Sequence, residues 1–369
     1  MIQMIKEPNL YFYKMNNPQQ KIKELMYTTK EIDASDLHIS VGHQPIVRIN
    51  GKLEKLREWD KIEKEEAKLM AFDLMNEREK EKFSEEKEVD FSYSSEEGDR
   101  FRINTYKQRG STSIALRRVP QDIKTLEELH LPESLYDFTK AKQGLILVTG
   151  PASHGKSTTL AALINRINRT RFEHIVTIED PIEYLFESDR SLIDQREIGQ
   201  DTNSFHGALK SVFRQDPDVI MVGEMRDPET IETTITAAET GHLVFSTLHT
   251  NSASQTVHRI VDSFPSDQQK QIRTQLASSL LGIISQRLIP GTTEGLIPAC
   301  EIMKNNSAVS NLIRENKTHE LNTSIETSSS EGMISLNKYL SNLVKAGKVK
   351  KEDALTFSSK PNSLKKLIE

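Results

Sequence analysis

Residues 150–159 read GPASHGKSTT and carry the spacing G-x-x-x-x-G-K-[ST]. In that pattern backbone amides wrap phosphate oxygens, the lysine reaches the outer phosphates and the hydroxyl meets a divalent cation. The phosphate-binding candidates are therefore Gly150, Pro151, Ala152, Ser153, His154, Gly155, Lys156, Ser157 and Thr158. Lys156 would answer the β- and γ-phosphates of ATP, and Ser157 would ligate Mg²⁺. The flanks agree with this chemistry. The apolar run GLILVT precedes the loop and a helical pattern follows Lys156. Free amides and the dipole at such a helix start attract anions.

Acids stand where a bound phosphate would need them. DVIMVGEMRD is an apolar strand ending in Glu224, a second candidate for Mg²⁺ that could also be an ordinary strand-end carboxylate. TIEDPIEY puts Glu179, Asp180 and Glu183 beyond another strand. Ligands gather at the carboxyl ends of parallel strands, so one of these acids could orient or deprotonate an attacking water. His242 and His249 bracket HLVFSTLH, roughly 20 Å apart by strand rise. That distance argues against a shared metal ion and leaves two readings, structural histidines and sensors of nucleotide state. In RFRINTY, Phe101 and Ile103 share a face, which puts Arg102 on the other; in TSIALRR, Ile114 and Leu116 leave Arg117 opposite. Both arginines are expected to be free to meet a ligand, or else to lie on a solvated strand face.

These groups need a scaffold, and 369 residues provide for two or three domains. A net charge of -5 with no basic stripe disfavours a nucleic-acid partner. Cys300 is the only cysteine, so no intrachain disulfide or cysteine metal site can form, which suits a reducing cytosol. Apolar runs fall far short of the ~18 residues that span a bilayer. The opening MIQMIKEPNLYFYK has no secretion signal, and Met15 is a second candidate start.

Residues 1–118 read as an α+β domain with a helix over 63–76. Residues 119–142 read as a linker, with a Thr-x-x-Glu capping pattern at Thr125 that predicts a new helix. From 143 to 300 strands alternate with helices, which predicts an α/β fold with a largely parallel, doubly covered sheet. Beyond 265 the pattern predicts mainly helix, with Ile272, Leu276, Leu280 and Ile283 on one face, then Leu336, Leu340 and Leu343.

Four blocks now stand in order: GPASHGKSTT, IVTIEDPIEY, DVIMVGEMRDPETI and AAETGHLVFSTLHTNSA. Together they resemble the Walker A, Asp-box, Walker B and His-box elements of the secretion and type IV pilus ATPases. Within that family the chain looks like the retraction ATPases of the PilT and PilU type. AVSNLIRENK leans to the first, while REIGQDTNSF and NSLKKLIE lean to the second.

The resemblance implies a RecA-like P-loop core over 143–300, behind a PAS-like domain over 1–118 and followed by a helical region over 301–369. It also implies a homohexameric ring with nucleotide between the two domains. The ring would drive pilus retraction through an inner-membrane platform protein, from the cytoplasmic side of that membrane. A paralogous retraction ATPase is a further partner it allows. By motif position Glu183 is the catalytic glutamate, Glu224 the Walker B acid, His242 and His249 the His-box pair, and Arg102 and Arg117 the arginines that neutralise γ-phosphate charge.

The loop departs from the family pattern GPTGSGKST, with Ser153 for glycine and His154 for serine; Ser310 replaces an arginine of the AIRNLIRE signature. A positive φ at Ser153 would cost on the order of 1 kcal/mol. His154 would either face outward or add a phosphate contact. A weakly catalytic accessory subunit is the alternative reading that this loop favours. A pilus-assembly or type II secretion ATPase is the other, although its cysteine-rich zinc insert cannot be built from one cysteine.

Overall fold

The structure is a computed structural model, described here for residues 17–49, 51–95, 98–293 and 295–369; Met15 lies outside them. The chain divides into two units, Met1–Pro120 and Gln121–Glu369.

The first unit is one antiparallel sheet with helices on one face. Its strands are β1 (Asp36–Ile39), β2 (Ile46–Ile49), β3 (Lys52–Lys55), β4 (Glu88–Ser94), β5 (Arg100–Gln108) and β6 (Ser111–Arg118). They lie in the order β3-β2-β1-β6-β5-β4. In β5 the alternation is clear, with Phe101, Ile103 and Thr105 buried and Arg102, Asn104 and Tyr106 facing the other way. The buried side packs on Ile22 and Leu25 of helix Pro18–Glu31, Met70 of helix Lys64–Leu74, and Phe83 of helix Glu77–Glu86. The last of these helices leaves little periodic signal, because Phe83 is its only buried residue. It is set by its cap: Asn76 accepts from the Glu79 amide at 3.0 Å, and Glu79 accepts from the Asn76 amide at 2.8 Å.

On the opposite face the register aligns Arg48, Asp36, Arg117, Arg102 and Ser92 in one row across β2, β1, β6, β5 and β4. Arg117 lies on the expected face and is largely exposed, but it is paired with Asp36 there. Arg117 Nε donates to Asp36 Oδ1 at 2.8 Å, and Arg48 lies 3.7 Å from the other oxygen. Burial pushes the Asp36 carboxyl up, but hydrogen bonds from Ser35 and Arg117 win and hold it below its usual value. Neither strand alone shows this pairing, since it depends on which residue of β1 falls opposite Arg117.

In the second unit the strands are β7 (Gly144–Thr149), β8 (His174–Glu179), β9 (Leu192–Glu197), β10 (Val219–Val222), β11 (Leu243–Leu248), β12 (Leu280–Pro290) and β13 (Leu296–Lys304). They form a sheet in the order β13-β12-β7-β11-β10-β8-β9. All pairings are parallel except β12 with β13. β7, β10 and β11 are buried along their whole length, as strands covered on both faces must be.

Three local expectations differ from what is found. Thr125 and Glu128 do exchange the reciprocal bonds of a capping box, at 2.7 and 3.3 Å, but no α-helix grows from it. His130 turns the chain with φ 57, and Pro132 precedes only a 3₁₀ helix, Glu133–Lys140. Leu126, Leu131, Leu135 and Phe138 pack into the core around Ile146 and Leu163, so 121–142 of the expected linker is folded into the second unit. Finally, the helix of Ile272 and Leu276 stops at Ser279, and Leu280 and Ile283 are strand residues of β12. Their spacing fits helix, but LLGIISQRLIP has a β7 edge to pair with and β13 to return along. Position 300 therefore falls inside β13.

The helices after β13 include Leu336–Lys345, whose Leu336, Leu340 and Leu343 are buried against Ile289 of β12 and Leu364 of the last helix. Ser310 occupies its position by donating to the Ala277 carbonyl at 3.0 Å, with Asn305 Oδ1 at the same distance. Among the described residues no helix is long and apolar enough to cross a membrane.

Candidate nucleotide-binding site

Strand order decides which side chains meet. β7, β11, β10 and β8 are successive parallel neighbours, so the segments leaving their carboxyl ends emerge side by side. Those segments carry the 150–155 loop, His249, Glu224 and Glu179 with the turn to Glu183. His242 lies at the other end of β11. Its Nδ1 is 3.0 Å from the Ala237 carbonyl and its ring meets Phe213 edge-on at 5.5 Å.

The loop turns through three left-handed positions, Gly150 at φ 146, Ser153 at φ 63 and Gly155 at φ 79. Only glycine fits at Gly150, where an added Cβ would sit 2.3 Å from the Gln286 carbonyl oxygen. Ser153 adopts the expected positive φ without being glycine. His154 follows neither expectation set for it. Its Nδ1 accepts from the Leu288 amide at 2.8 Å, and its carbonyl accepts from Gln286 Nε2 at 2.9 Å. The imidazole thus points back to β12. The other end of Gln286 accepts from Thr159 Oγ1 at 2.7 Å, so one buried amide ties the loop to its helix, Lys156–Thr170. Thr158 continues the contacts with Tyr184 OH at 2.8 Å.

Lys156 is 8% exposed and donates to the carbonyls of Gly150 and Pro151, each at 2.9 Å. Its Nζ also lies 3.3 Å from His249 Nδ1, and His249 Nε2 lies 3.2 Å from Glu224 Oε1. An ammonium only donates and a carboxylate only accepts. The tautomer with its proton on Nε2 is the one that satisfies both contacts. Glu224 is held on its other oxygen by Arg226 at 2.8 Å. Burial lowers the Lys156 pKa, and the nearby Glu224 charge opposes that fall. Ser157 is exposed in the first turn of the helix. A Ser157 hydroxyl and a Glu224 carboxylate are hard oxygen donors that suit Mg²⁺. Among the described residues no group of three or more acids, histidines or cysteines could cage a metal. An ion held here would draw its remaining ligands from phosphate and water.

Glu179 differs from Glu224. It is 5% exposed and accepts from Thr177 Oγ1 at 2.7 Å, Gln195 Nε2 at 3.1 Å and the Glu183 amide at 3.3 Å. Burial pushes its pKa up to about 7. Glu179 therefore shapes the turn that carries Glu183 from beneath. Arg102 and Arg117 belong to the first unit.

Gln286, Gln195 and Glu301 carry no motif and were not evident in the sequence. Glu301 is buried and accepts from the Ala253 amide at 2.8 Å, at the start of the helix just past His249. A polar residue inside an apolar strand is the one signal that marks Gln286 and Glu301.

The Type II/IV secretion system protein family matches residues 17–354. The chain is 43% identical over 333 residues to the type IV pilus retraction ATPase PilT of Pseudomonas aeruginosa, covering 90% of this chain and 96% of that one. It is 37% identical over 350 residues to the type IV pilus ATPase PilU of the same organism, covering 95% and 91%. The crystal structure of the pilus retraction motor PilT with bound ADP superposes with a TM-score of 0.86 at 46% identity, covering 93% of this chain and 98% of that one. This chain is a member of the Type II/IV secretion system protein family, and pilus retraction ATPases are among its relatives.

Proposed function

We propose that the chain is an ATPase motor that drives type IV pilus retraction, and so twitching motility. The observation that carries this reading is the contact series Lys156, His249, Glu224 at the mouth of a wrapped phosphate loop. Its likeness to an ADP-bound retraction motor over nearly the whole chain supports it.

In this reading the loop amides and the Lys156 ammonium bind the ATP phosphates, Lys156 exchanging its bonds to Gly150 and Pro151 for phosphate oxygens. Ser157 and Glu224 would hold Mg²⁺, which would offset phosphate charge. Glu183, presented by the turn above Glu179, orients the attacking water and takes its proton. His249 reads the terminal phosphate through Lys156 and passes its state to Glu224. The working species is a homohexamer on the cytoplasmic side of the inner membrane, acting on a platform protein, with a paralogous retraction ATPase as a second partner. Arg102 and Arg117 meet the nucleotide of a neighbouring subunit, and Asp36 holds Arg117 until then.

The deciding measurement is ATP hydrolysis by the purified chain, with Lys156→Ala as the control. Glu183→Gln should abolish turnover and keep nucleotide binding; unaltered turnover would remove Glu183 from the mechanism. Rings mixed from Arg117→Ala and Glu224→Gln subunits should regain activity. No recovery in rings shown to be mixed would count against arginine supplied across subunits. The positive φ of Ser153 favours one second reading, a weakly catalytic accessory subunit.

A further inference from the structure

The middle of the phosphate loop has an anchor that its motif does not contain. β7 ends at Thr149, which pairs with Ser285, so β12 runs on past its neighbour. The Leu288 amide lies beyond that point, where no β7 residue can accept from it. The amide is part-buried, and a backbone donor withdrawn from water needs a partner. His154 Nδ1 is that partner, at 2.8 Å.

The anchor also sits where the loop most needs one. His154 lies between Ser153 and Gly155, both left-handed, at φ 63 and φ 79. Ser153 gains from any relaxation of that turn, since a side chain disfavours positive φ. His154 is held by its ring to Leu288 and by its carbonyl to Gln286, so the strained turn cannot open without breaking both contacts.

We propose that His154 is a positioning residue for nucleotide: its neutral imidazole, as acceptor for the Leu288 amide, pins the phosphate loop in its binding-competent wrap. This rests on reading the loop as a nucleotide cradle. A neutral ring is required, because an imidazolium would turn an N–H toward the Leu288 N–H. The surroundings favour neutrality. Burial lowers the His154 pKa, and the charges facing it, Arg287 of β12 and Lys156 of the following helix, lower it further. The neutral form therefore persists below the ordinary value of 6.5, and the pin is lost only as pH falls through the lowered pKa.

Labelled ADP titrated into the full chain tests this, using wild type, His154→Ala and His154→Asn from pH 8 to pH 5. Asparagine can place Oδ1 where Nδ1 stands, so it keeps an acceptor and loses the titration. At pH 8, His154→Ala should bind about 10-fold more weakly, the scale of one part-buried donor left unpaired. His154→Asn should stay within about 2-fold of wild type. Towards pH 5, wild type should weaken more steeply than His154→Asn, whose own decline reports protonation of the nucleotide. His154→Ala binding as wild type does at pH 8, or His154→Asn weakened as much as His154→Ala, overturns the pin. If His154→Ala fails to fold, parallel wild-type and His154→Asn curves overturn it. Wild type binding no more ADP than Lys156→Ala at pH 8 would instead defeat the cradle reading itself.

Discussion

His242, at the amino end of β11, turns its ring to the Ala237 carbonyl and Phe213, whereas His249, at the carboxyl end, stands between Lys156 and Glu224. One strand thus separates a structural histidine from one inside a charge network. The same contrast runs along the whole sheet. At the carboxyl rim the helix Lys156–Thr170 begins, as does Pro228–Glu239 shortly after Glu224, and their amino ends add partial positive charge. At the amino rim chains arrive from helix ends, and side chains such as His242 serve to close them. The two rims share a backbone; helix polarity and loop adjacency make one of them chemical.

The largest test of that contrast is the paired removal of both rings. His249→Ala should lower ATP turnover by about 100-fold, by analogy with loss of one polarising group in a preorganised site. His242→Ala should leave turnover within about 2-fold and lower stability by roughly 1 kcal/mol. Steady-state hydrolysis beside thermal unfolding reads both effects, and equal turnover losses would break the comparison.

The two carboxylates at the carboxyl rim sharpen it next. Glu224 has cationic and imidazole partners, while Glu179 is buried with its pKa raised to about 7. A carboxyl with a raised folded pKa favours the folded state while protonated. That contribution is full below the unfolded value of 4.5 and is lost as pH rises through about 7. Glu179→Gln should therefore stabilise the protein at pH 8 relative to wild type, and the gain should shrink towards pH 4.5. With one hydrogen bond weakened, the net gain is on the order of 2 kcal/mol. Thermal melts at the two pH values decide it; a gain that grows on acidification would reverse the assignment.

Ser153 offers the smallest effect. Glycine there should relieve the φ of 63 and tighten nucleotide or speed turnover by about 5-fold, for ~1 kcal/mol. Equal or weaker binding by Ser153→Gly would mean that the turn is unstrained in the folded protein. A gain would favour the accessory reading, a motor tuned down by one side chain.

Spacing made the loop and its flanking strand and helix legible, because G-x-x-x-x-G-K-[ST] is local: the backbone amides, the lysine and the hydroxyl that the pattern needs all lie within eight consecutive residues. Continuous apolar runs likewise announced β7, β10 and β11. The helix expected after Thr125 failed although its cap formed, since a cap cannot extend a helix into a left-handed His130 and Pro132. Leu280 and Ile283 misled for the opposite reason. A short apolar spacing fits either period, and only the available β7 edge selected strand.

The types and order of the candidate site groups, Lys156, Ser157, Glu183, Glu224 and His249, were legible in the sequence alone, as was the family pattern they complete. Which of them touch was decided only by tertiary structure. Parallel pairing put the ends of β7, β11, β10 and β8 side by side and left His242 behind. Antiparallel register set Asp36 against Arg117, and the overrun of β12 past Thr149 brought Leu288 and Gln286 to His154. Each of these contacts joins residues far apart in the chain. Their energies depend on distance and burial, which no spacing along the chain records.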